Sequence, residues 1–504
     1  MTSINSDYMS QMVLQSLTKT DADMTRAMQR LSTGKRINNA GDDAAGLSIA
    51  SKLKAQVNGL TAAMKNAADA IAMVGTIEGA LDEGTDILQR MRTLAVQASS
   101  DTNTGTDRAY LQDEVNQLAN ELNRISNNTE FNSQKLLDGT FTDKVIQIGA
   151  AGGQVLRLGV AATDAGTLGT YQINSANESL ATQLATQASA VAAINNLLSS
   201  AADYVVKGSF GTVTATVDAG ADARDVASAF NIISGTTGVL AQAVTRGQLS
   251  FNTAATFTFT LKGKSSEAST VTATITATND LTSIKDAINA VSGATGITAA
   301  LTTDKAGINI VQTEGYDIII GDMAGGTAFY QSMDRDEKLD TTGGKRTIGP
   351  VTGSGLGLLD SGALLGQVTL SSHQAFTVTP GDTANHFSAN TSEQSSSIAN
   401  IANISLVTKT GATNSLAVID GALSMISEIR SAMGAADNRL KSTVDNLSNI
   451  AVNAQASLSK IEDANFAEET SLLTKAQILQ QASTAMLAQA NKGKQGMLQL
   501  IQSM

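Results

Sequence analysis

His373 and His386 are the only imidazoles in the 504-residue chain, which has no cysteine, so metal or nucleophilic chemistry would have few parts to draw on. Both stand in a Ser/Thr-rich segment with no glutamate-flanked helical pair, so the spacing of a zinc peptidase is absent. The adjacent acids Asp42-Asp43 have the residue types of an acid pair or a cation site. Their place just before an apolar periodic run fits helix capping better, a carboxylate accepting from free backbone amides. Gly149-Ala150-Ala151-Gly152-Gly153 is glycine-rich but lacks the Lys-Ser/Thr pair and following helix of a phosphate-binding loop. The sequence therefore predicts no catalytic residue, no cofactor site, no metal site and no enzyme.

What remains is architecture. A formal charge of -12, from 34 basic and 46 acidic residues, gives phosphate no general attraction and excludes nucleic acid as a main partner. Aromatics make up 3% and tryptophan is absent, so the interior is packed from Leu, Ile, Val, Met and Ala, which suits long, thin helical bundles. No run of about 18 apolar residues exists, so no membrane insertion is expected. The first residues, MTSINSDYMSQMV, lack the basic, apolar and cleavage regions of a signal peptide, leaving export by a route that reads uncleaved N-terminal information.

Both ends read as helices. Leu14, Leu17, Met24, Met28 and Leu31 follow three- and four-residue steps interrupted at Asp21, and Gly34 stands where a helix could stop. Leu60, Met64, Ala67, Ile71, Val74, Leu81 and Leu88 keep one register, predicting a second helix of about 50 residues or more. A loop over Asp101 to Thr106 precedes a third helix through Leu111, Val115, Leu118, Leu122 and Ile125, ending before Asn127-Asn128. At the other end a stripe runs from Leu416 to Ile461, broken only by Arg430 and Asp437. Such a helix would be roughly 70 Å long and needs partners alongside. A polar gap, Glu462 to Ser471, reads as a joint, after which Leu472, Ala476, Leu479, Ser483, Met486, Ala490, Gly493, Met497 and Leu500 resume the stripe. Small residues at many of these positions bury too little apolar area to offset chain entropy, so both termini are expected to be disordered in the free subunit and ordered by neighbouring copies.

The middle, 171–405, turns to Gly, Ser, Thr and Ala with alternating runs such as Thr212–Val217 and Thr256–Leu261, predicting a separate domain of strands and helices. It holds a degenerate repeat. Ala215-Thr216-Val217, then Val226, Ala229 and Asn231, then Ser234 to Gly238, recur as Ala273-Thr274-Ile275, then Ile284, Ala287 and Asn289, then Ser292 to Gly296. The predicted fold class is mainly α: a long coiled-coil-like helical core formed by both termini, with an inserted α+β outer domain built partly from two small repeats.

The run Arg30-Leu31-Ser32-Thr33-Gly34-Lys35-Arg36-Ile37-Asn38-Asn39-Ala40-Gly41-Asp42-Asp43-Ala44-Ala45-Gly46-Leu47 resembles the N-terminal hallmark of bacterial flagellins, as does Leu88 to Gln97. Ile461 to Phe466, Ala476 to Ala482 and Met486 to Asn491 resemble the C-terminal signature of the same family. The resemblance covers about 1–140 and 410–504, and only loosely the middle.

It implies a secreted, non-enzymatic subunit of the extracellular flagellar filament, used for swimming motility and exported through the flagellar type III channel. It implies inner core helices in 1–40 and 465–504, an outer core helical bundle with a small β-hairpin region in 41–170 and 406–464, and a variable, surface-exposed α+β domain in 171–405. The inner-core assembly contacts then fall on Leu14, Leu17, Met24, Met28, Leu31, Leu472, Leu479, Met486, Met497 and Leu500. The implied partners are many copies of the chain itself, an export chaperone on the C-terminal helix, and the filament cap and hook-junction proteins. In some members an animal Toll-like receptor reads positions matching Arg90, Leu94 and Glu114, whereas Thr93 departs from the acidic residue often found there. A hook-filament junction protein of the same family and a flagellin with an adhesive outer domain are the alternative readings.

Overall fold

The computed structural model describes residues 8–175, 182–185, 201–265, 267–335, 337–339, 345–349, 361–381, 387 and 391–502, with side chains described except at Met9, 182–185 and 493–502. Long helices at both ends bracket a strand-rich middle. Helix α1 (Tyr8–Thr33) stops where Gly34 takes a φ of 72°, left-handed backbone that glycine adopts without a Cβ penalty. Helix α2 (Ala44–Ala98) starts at the acidic pair. Asp43 Oδ1 accepts from the Gly46 amide at 2.8 Å, while Asp42 Oδ2 accepts from the amides of Asn38 and Asn39 at 3.1 and 3.0 Å. These backbone donors hold the Asp42 carboxyl below its ordinary range.

Helix α3 (Gly105–Asn128) begins inside the loop expected over Asp101 to Thr106. Thr104 supplies the reason: its hydroxyl accepts from Asp107 N, and the Asp107 carboxylate accepts from Thr104 N at 2.9 Å, a capping box that starts the helix at Gly105. The helix also runs through Asn127-Asn128 rather than ending before them, because Ser126 is buried and donates to Leu137 O at 2.8 Å. Two more long helices, Lys409–Glu462 and Phe466–Gln502, make up the C-terminal end.

The contacts divide the chain into two units: Met1–Gly75, Asp143–Gly159 and Gly434–Met504 in one, Thr76–Thr142 and Val160–Met433 in the other. In the first unit Leu60 and Ala63 of α2 pack with Leu447. A hairpin, Lys144–Gln147 with Val155–Leu158, carries the glycine-rich cluster at its tip. That tip lies close on α2: a Cβ at Gly59 would stand 3.1 Å from Ala150 Cβ, and Asn66 Nδ2 donates to Gln147 O at 3.1 Å. Asp437, which interrupts the apolar stripe of the long C-terminal helix, is matched by Lys441 one turn on, at 2.7 Å.

In the second unit α2, α3 and the start of the long C-terminal helix converge around Gly84, where a Cβ would touch Leu122 and Ile426 at 3.5 and 3.6 Å. Ion pairs join the same helices: Arg92 to Asp420 at 2.7 Å and Arg430 to Asp82 at 3.0 Å. Arg430 thus interrupts the apolar stripe with a partner in place.

The strands organise around Leu240–Phe251, which pairs antiparallel with Gln367–Ser372, Ile308–Gln312 and Ala328–Ser332. Two apolar clusters flank it. One gathers Tyr204, Val226 and Phe230 with Val368 and Leu370; the other gathers Phe257, Phe259, Ile284 and Ile288 with Leu249 and Phe251. Helix α4 (Ala223–Ile232) serves the first and α5 (Thr282–Ala290) the second. Each is followed by a one-turn helix, Ser234–Thr237 or Ser292–Thr295, and a left-handed glycine, Gly238 at φ 71° or Gly296 at φ 70°. Asn231 grips the backbone of Ala241 through both amide atoms, each at 2.9 Å, and Asn289 grips Ala299 likewise at 2.9 and 2.8 Å.

Candidate functional site

Helix α6 (Lys409–Glu462) and helix α7 (Phe466–Gln502) are separated by three residues, Asp463-Ala464-Asn465. The joint is shorter than the Glu462 to Ser471 gap expected, because Asn465 Oδ1 accepts from Ala467 N at 3.1 Å and restarts the helix at once. The break after α1 lies against it. Arg36 N donates to Glu462 O at 2.7 Å, Ala464 N donates to Gly34 O at 2.9 Å, and Arg36 Nη2 reaches Ile461 O at 2.7 Å. Lys35 pairs with Glu462 beside this bridge. Two helix ends are therefore tied together by backbone hydrogen bonds.

Beyond the clasp α1 and α7 run antiparallel. Arg30 Nη1 meets Glu469 Oε1 at 3.0 Å, and nine residues back Asp21 Oδ1 accepts from Gln480 Nε2 at 2.7 Å. Asp21, which interrupts the sequence stripe, thus has its partner on the opposing helix. The fully buried side chains of the seam are small or polar, Thr20, Ala27, Glu469 and Ala476. Leu17, Met24 and Leu31 are half-buried along it.

The stripe selected from sequence does not all fall on this seam. Leu14 is 47% exposed, Met28 47%, Leu472 45%, Leu479 46% and Met486 61%, and Leu472 and Leu479 line an open groove along the pair with Thr20 and Ala27 of α1. The reason is register: Ala476 and Ser483 of the stripe face inward on α7 together with Glu469, Leu473, Gln480 and Leu487, so Leu472, Leu479 and Met486 fall one position to the side of the most buried line. The side chains of Met497 and Leu500 lie outside the described residues. The inward set was marked in the sequence by Asp21 and Gln480, polar residues whose pairing gives the register.

Of the three positions matched to receptor recognition, Arg90 and Glu114 are exposed and bound to each other, Nε and Nη2 reaching one carboxylate oxygen at 2.9 and 2.7 Å. Leu94 is 1% exposed, a correction to its reading as a contact residue: it sits on the core side of α2 with Met91 and Ala95 and presents no surface here. His373 lies 3.8 Å from the Glu428 carboxylate, its ring tilted at 44° to that of Phe210 with centroids 6.0 Å apart; His386 lies outside the described residues. Among the described residues no group of three or more His, Cys, Asp or Glu side chains is placed to hold a metal ion, and no helix is long and apolar enough to cross a membrane.

Clasped terminal helices carrying a partly exposed apolar stripe, at the two ends of a chain with a strand-rich insertion, define a self-associating structural subunit. The comparisons with known proteins make the class specific. Residues 4–142 match the bacterial flagellin N-terminal helical region, 416–501 the bacterial flagellin C-terminal helical region, and 256–314 the flagellin hook IN motif. The chain is 34% identical over 503 residues to the B-type flagellin of Pseudomonas aeruginosa, covering 99% of each chain, and 30% identical over 511 residues to the flagellin of Salmonella typhimurium, again 99% of each. It is 30% identical over 482 residues to flagellin D of Vibrio cholerae, covering 96% of this chain and 94% of that relative. The chain belongs to the bacterial flagellin family and is a subunit of the flagellar filament.

Proposed function

We propose that assembly is driven by the terminal helices, with Leu14, Leu17, Met24, Met28, Leu31, Leu472, Leu479, Met486, Met497 and Leu500 supplying contacts between copies. The observation that carries this is a partly exposed apolar stripe on a helix pair whose fully buried side chains are small or polar. Thr20, Ala27 and Ala476 bury little apolar area, so one pair gains little order alone, and the exposed Leu and Met side chains gain theirs only against another copy. On this reading both termini are disordered in the free subunit and coil together in the polymer.

The layers then follow: 1–40 with 465–504 as the inner core, 41–170 with 406–464 as the outer core, and 171–405 as the outward, variable domain. The matching Asn231 and Asn289 brackets support reading that domain as built partly from two copies of one unit. The chain acts by assembly and not as an enzyme, works outside the cell after type III export, and takes an export chaperone on α7, the filament cap and the hook-junction proteins as partners. Receptor recognition through Arg90 and Glu114 would require breaking their mutual ion pair.

Deleting Gln480 to Met504 tests the mechanism. The truncated chain is expected to keep a folded middle domain, read by its thermal transition, and to form no fibres under electron microscopy; normal filaments from it would refute the assignment.

A further inference from the structure

All the sulfur in this chain is thioether: it has 15 methionines, no cysteine and no tryptophan. With neither thiol nor indole to compete, an oxidant of the peroxide class, which hands one oxygen to a nucleophilic sulfur, acts on methionine first. The fold sorts the methionines by access. Among the described residues the exposed ones are Met12, at 53%, Met28 and Met486, and all three stand on the terminal helices α1 and α7. Met91, Met323, Met333 and Met433 are at most 4% exposed, and Met24, Met64, Met73 and Met425 are half-buried.

The three open thioethers also stand where polarity matters. Asp21 opposite Gln480 sets the antiparallel register of α1 and α7, which brings Met12 and Met486 within about one turn of each other along the axis and Met28 level with Leu472. Met28, Leu472 and Met486 belong to the stripe that is proposed to meet another copy. A thioether there is apolar and adaptable, whereas a sulfoxide is polar and resists burial without a hydrogen-bond donor.

We propose that Met12, Met28 and Met486 are modification sites for peroxide and that their oxidation blocks assembly. In each, the sulfur lone pair attacks one peroxide oxygen. The O–O bond breaks, an S–O bond forms, and the second oxygen leaves as water, so thioether and hydrogen peroxide become sulfoxide and water. A thiol-driven methionine sulfoxide reductase reverses the step, the oxygen leaving as water while two thiols become a disulfide. Where the oxygen goes rests on burial alone; its effect on assembly rests on the reading of the terminal helices given above. Disorder of the ends in the free subunit opens these thioethers further and leaves the contrast with the enclosed ones unchanged.

The test treats the full-length soluble chain with hydrogen peroxide and maps the added oxygen by peptide mass spectrometry. Met12, Met28 and Met486 are expected to oxidise about tenfold or more faster than Met91, Met323, Met333 and Met433, which react only when the fold opens. Sedimentation of the oxidised chain should find the critical concentration raised about tenfold or more, the loss of one thioether's apolar contact, and reductases for both sulfoxide epimers with dithiothreitol should restore it. The triple variant Met12→Leu, Met28→Leu, Met486→Leu keeps the apolar volume and is expected to polymerise alike before and after peroxide. The proposal is overturned if the enclosed methionines oxidise as fast, if the oxidised chain pellets at the parental concentration, or if the triple variant loses as much assembly to peroxide as the parent. An oxidised chain that pellets normally, while the Gln480 to Met504 deletion does not, removes this proposal and leaves the assembly reading standing. Normal filaments from the deletion remove that reading and with it the effect on assembly.

Discussion

At the scale of single residues, two carboxylates carry consequences of opposite kind. Glu469 is 5% exposed, and its partner Arg30 holds an Nε that is buried and unmatched, so the guanidinium depends on this one acid. Removing the acid leaves a half-enclosed charge without its ion-pair partner, at a cost of about 3 kcal/mol to the α1–α7 pairing. Glu469→Ala is therefore expected to lower the melting temperature of the polymer, and the double variant with Arg30→Ala to lower it less than the two single effects combined; strict additivity in that cycle would rule out the coupling. Asp317 behaves differently. It accepts one bond, from Gly366 N at 3.0 Å, and desolvation, with Asp222 and Asp225 nearby, pushes its carboxyl up to about 7 from 3.8. Its folded value is raised, so its contribution is fully present below the unfolded value and is lost as pH rises through about 7. Asp317→Asn keeps an oxygen for Gly366 and cannot ionise. The middle domain of that variant is expected to melt higher than the parent at pH 8, by on the order of 1–4 kcal/mol, and to converge with it at low pH; identical melting curves at pH 8 would dispose of the idea.

At the scale of elements, the helices were legible because their signals are local. Gly34 ends α1, Asp43 begins α2, and the Leu416 to Ile461 stripe is α6, all from spacing and capping chemistry that neighbouring residues share. Thr104 and Asp107 form a capping box that the composition of the loop concealed. The inward face of α7 was harder, since it is set by Asp21 and Gln480, which are far apart in sequence and weakly apolar. Strand order in the middle was not legible at all: Leu240–Phe251 pairs with segments up to Ser372, and alternation gives a strand's faces but not its neighbours. The hairpin tip on α2 was likewise invisible, because Gly59 reads as a helix flaw until Ala150 is placed against it. A larger side chain there pushes the tip off. Gly59→Leu is expected to cost about 1–3 kcal/mol locally, seen as faster amide exchange at Ile148, whose N–H is bonded to Gln154 O, with the Glu130–Phe131 hairpin unchanged. Unaltered exchange at Ile148 would mean that the close approach is immaterial.

At the scale of the whole molecule, the proposed assembly through the terminal helices separates what the chain needs to fold from what it needs to polymerise. The middle domain and inner parts of α2, α3 and α6 bury large side chains such as Tyr204, Phe257, Leu88 and Met91, a core sufficient in one copy. The terminal pair buries alanine and threonine and exposes Leu472, Leu479 and Met486. On the proposed reading a second molecule covers these side chains, so the ends would be concentration-dependent in a way the middle is not. Replacing these three by serine removes apolar area from the polymer and none from the monomer's core. At about 1.5 kcal/mol each, the combined loss of roughly 4–5 kcal/mol corresponds to a rise in the critical concentration of about a thousandfold. Sedimentation of the triple variant should find it soluble at concentrations where the parent pellets, with the thermal transition of the middle domain unmoved. Fibres at the parental concentration would mean that the stripe is solvent-facing in the filament as well, and that the copies meet elsewhere.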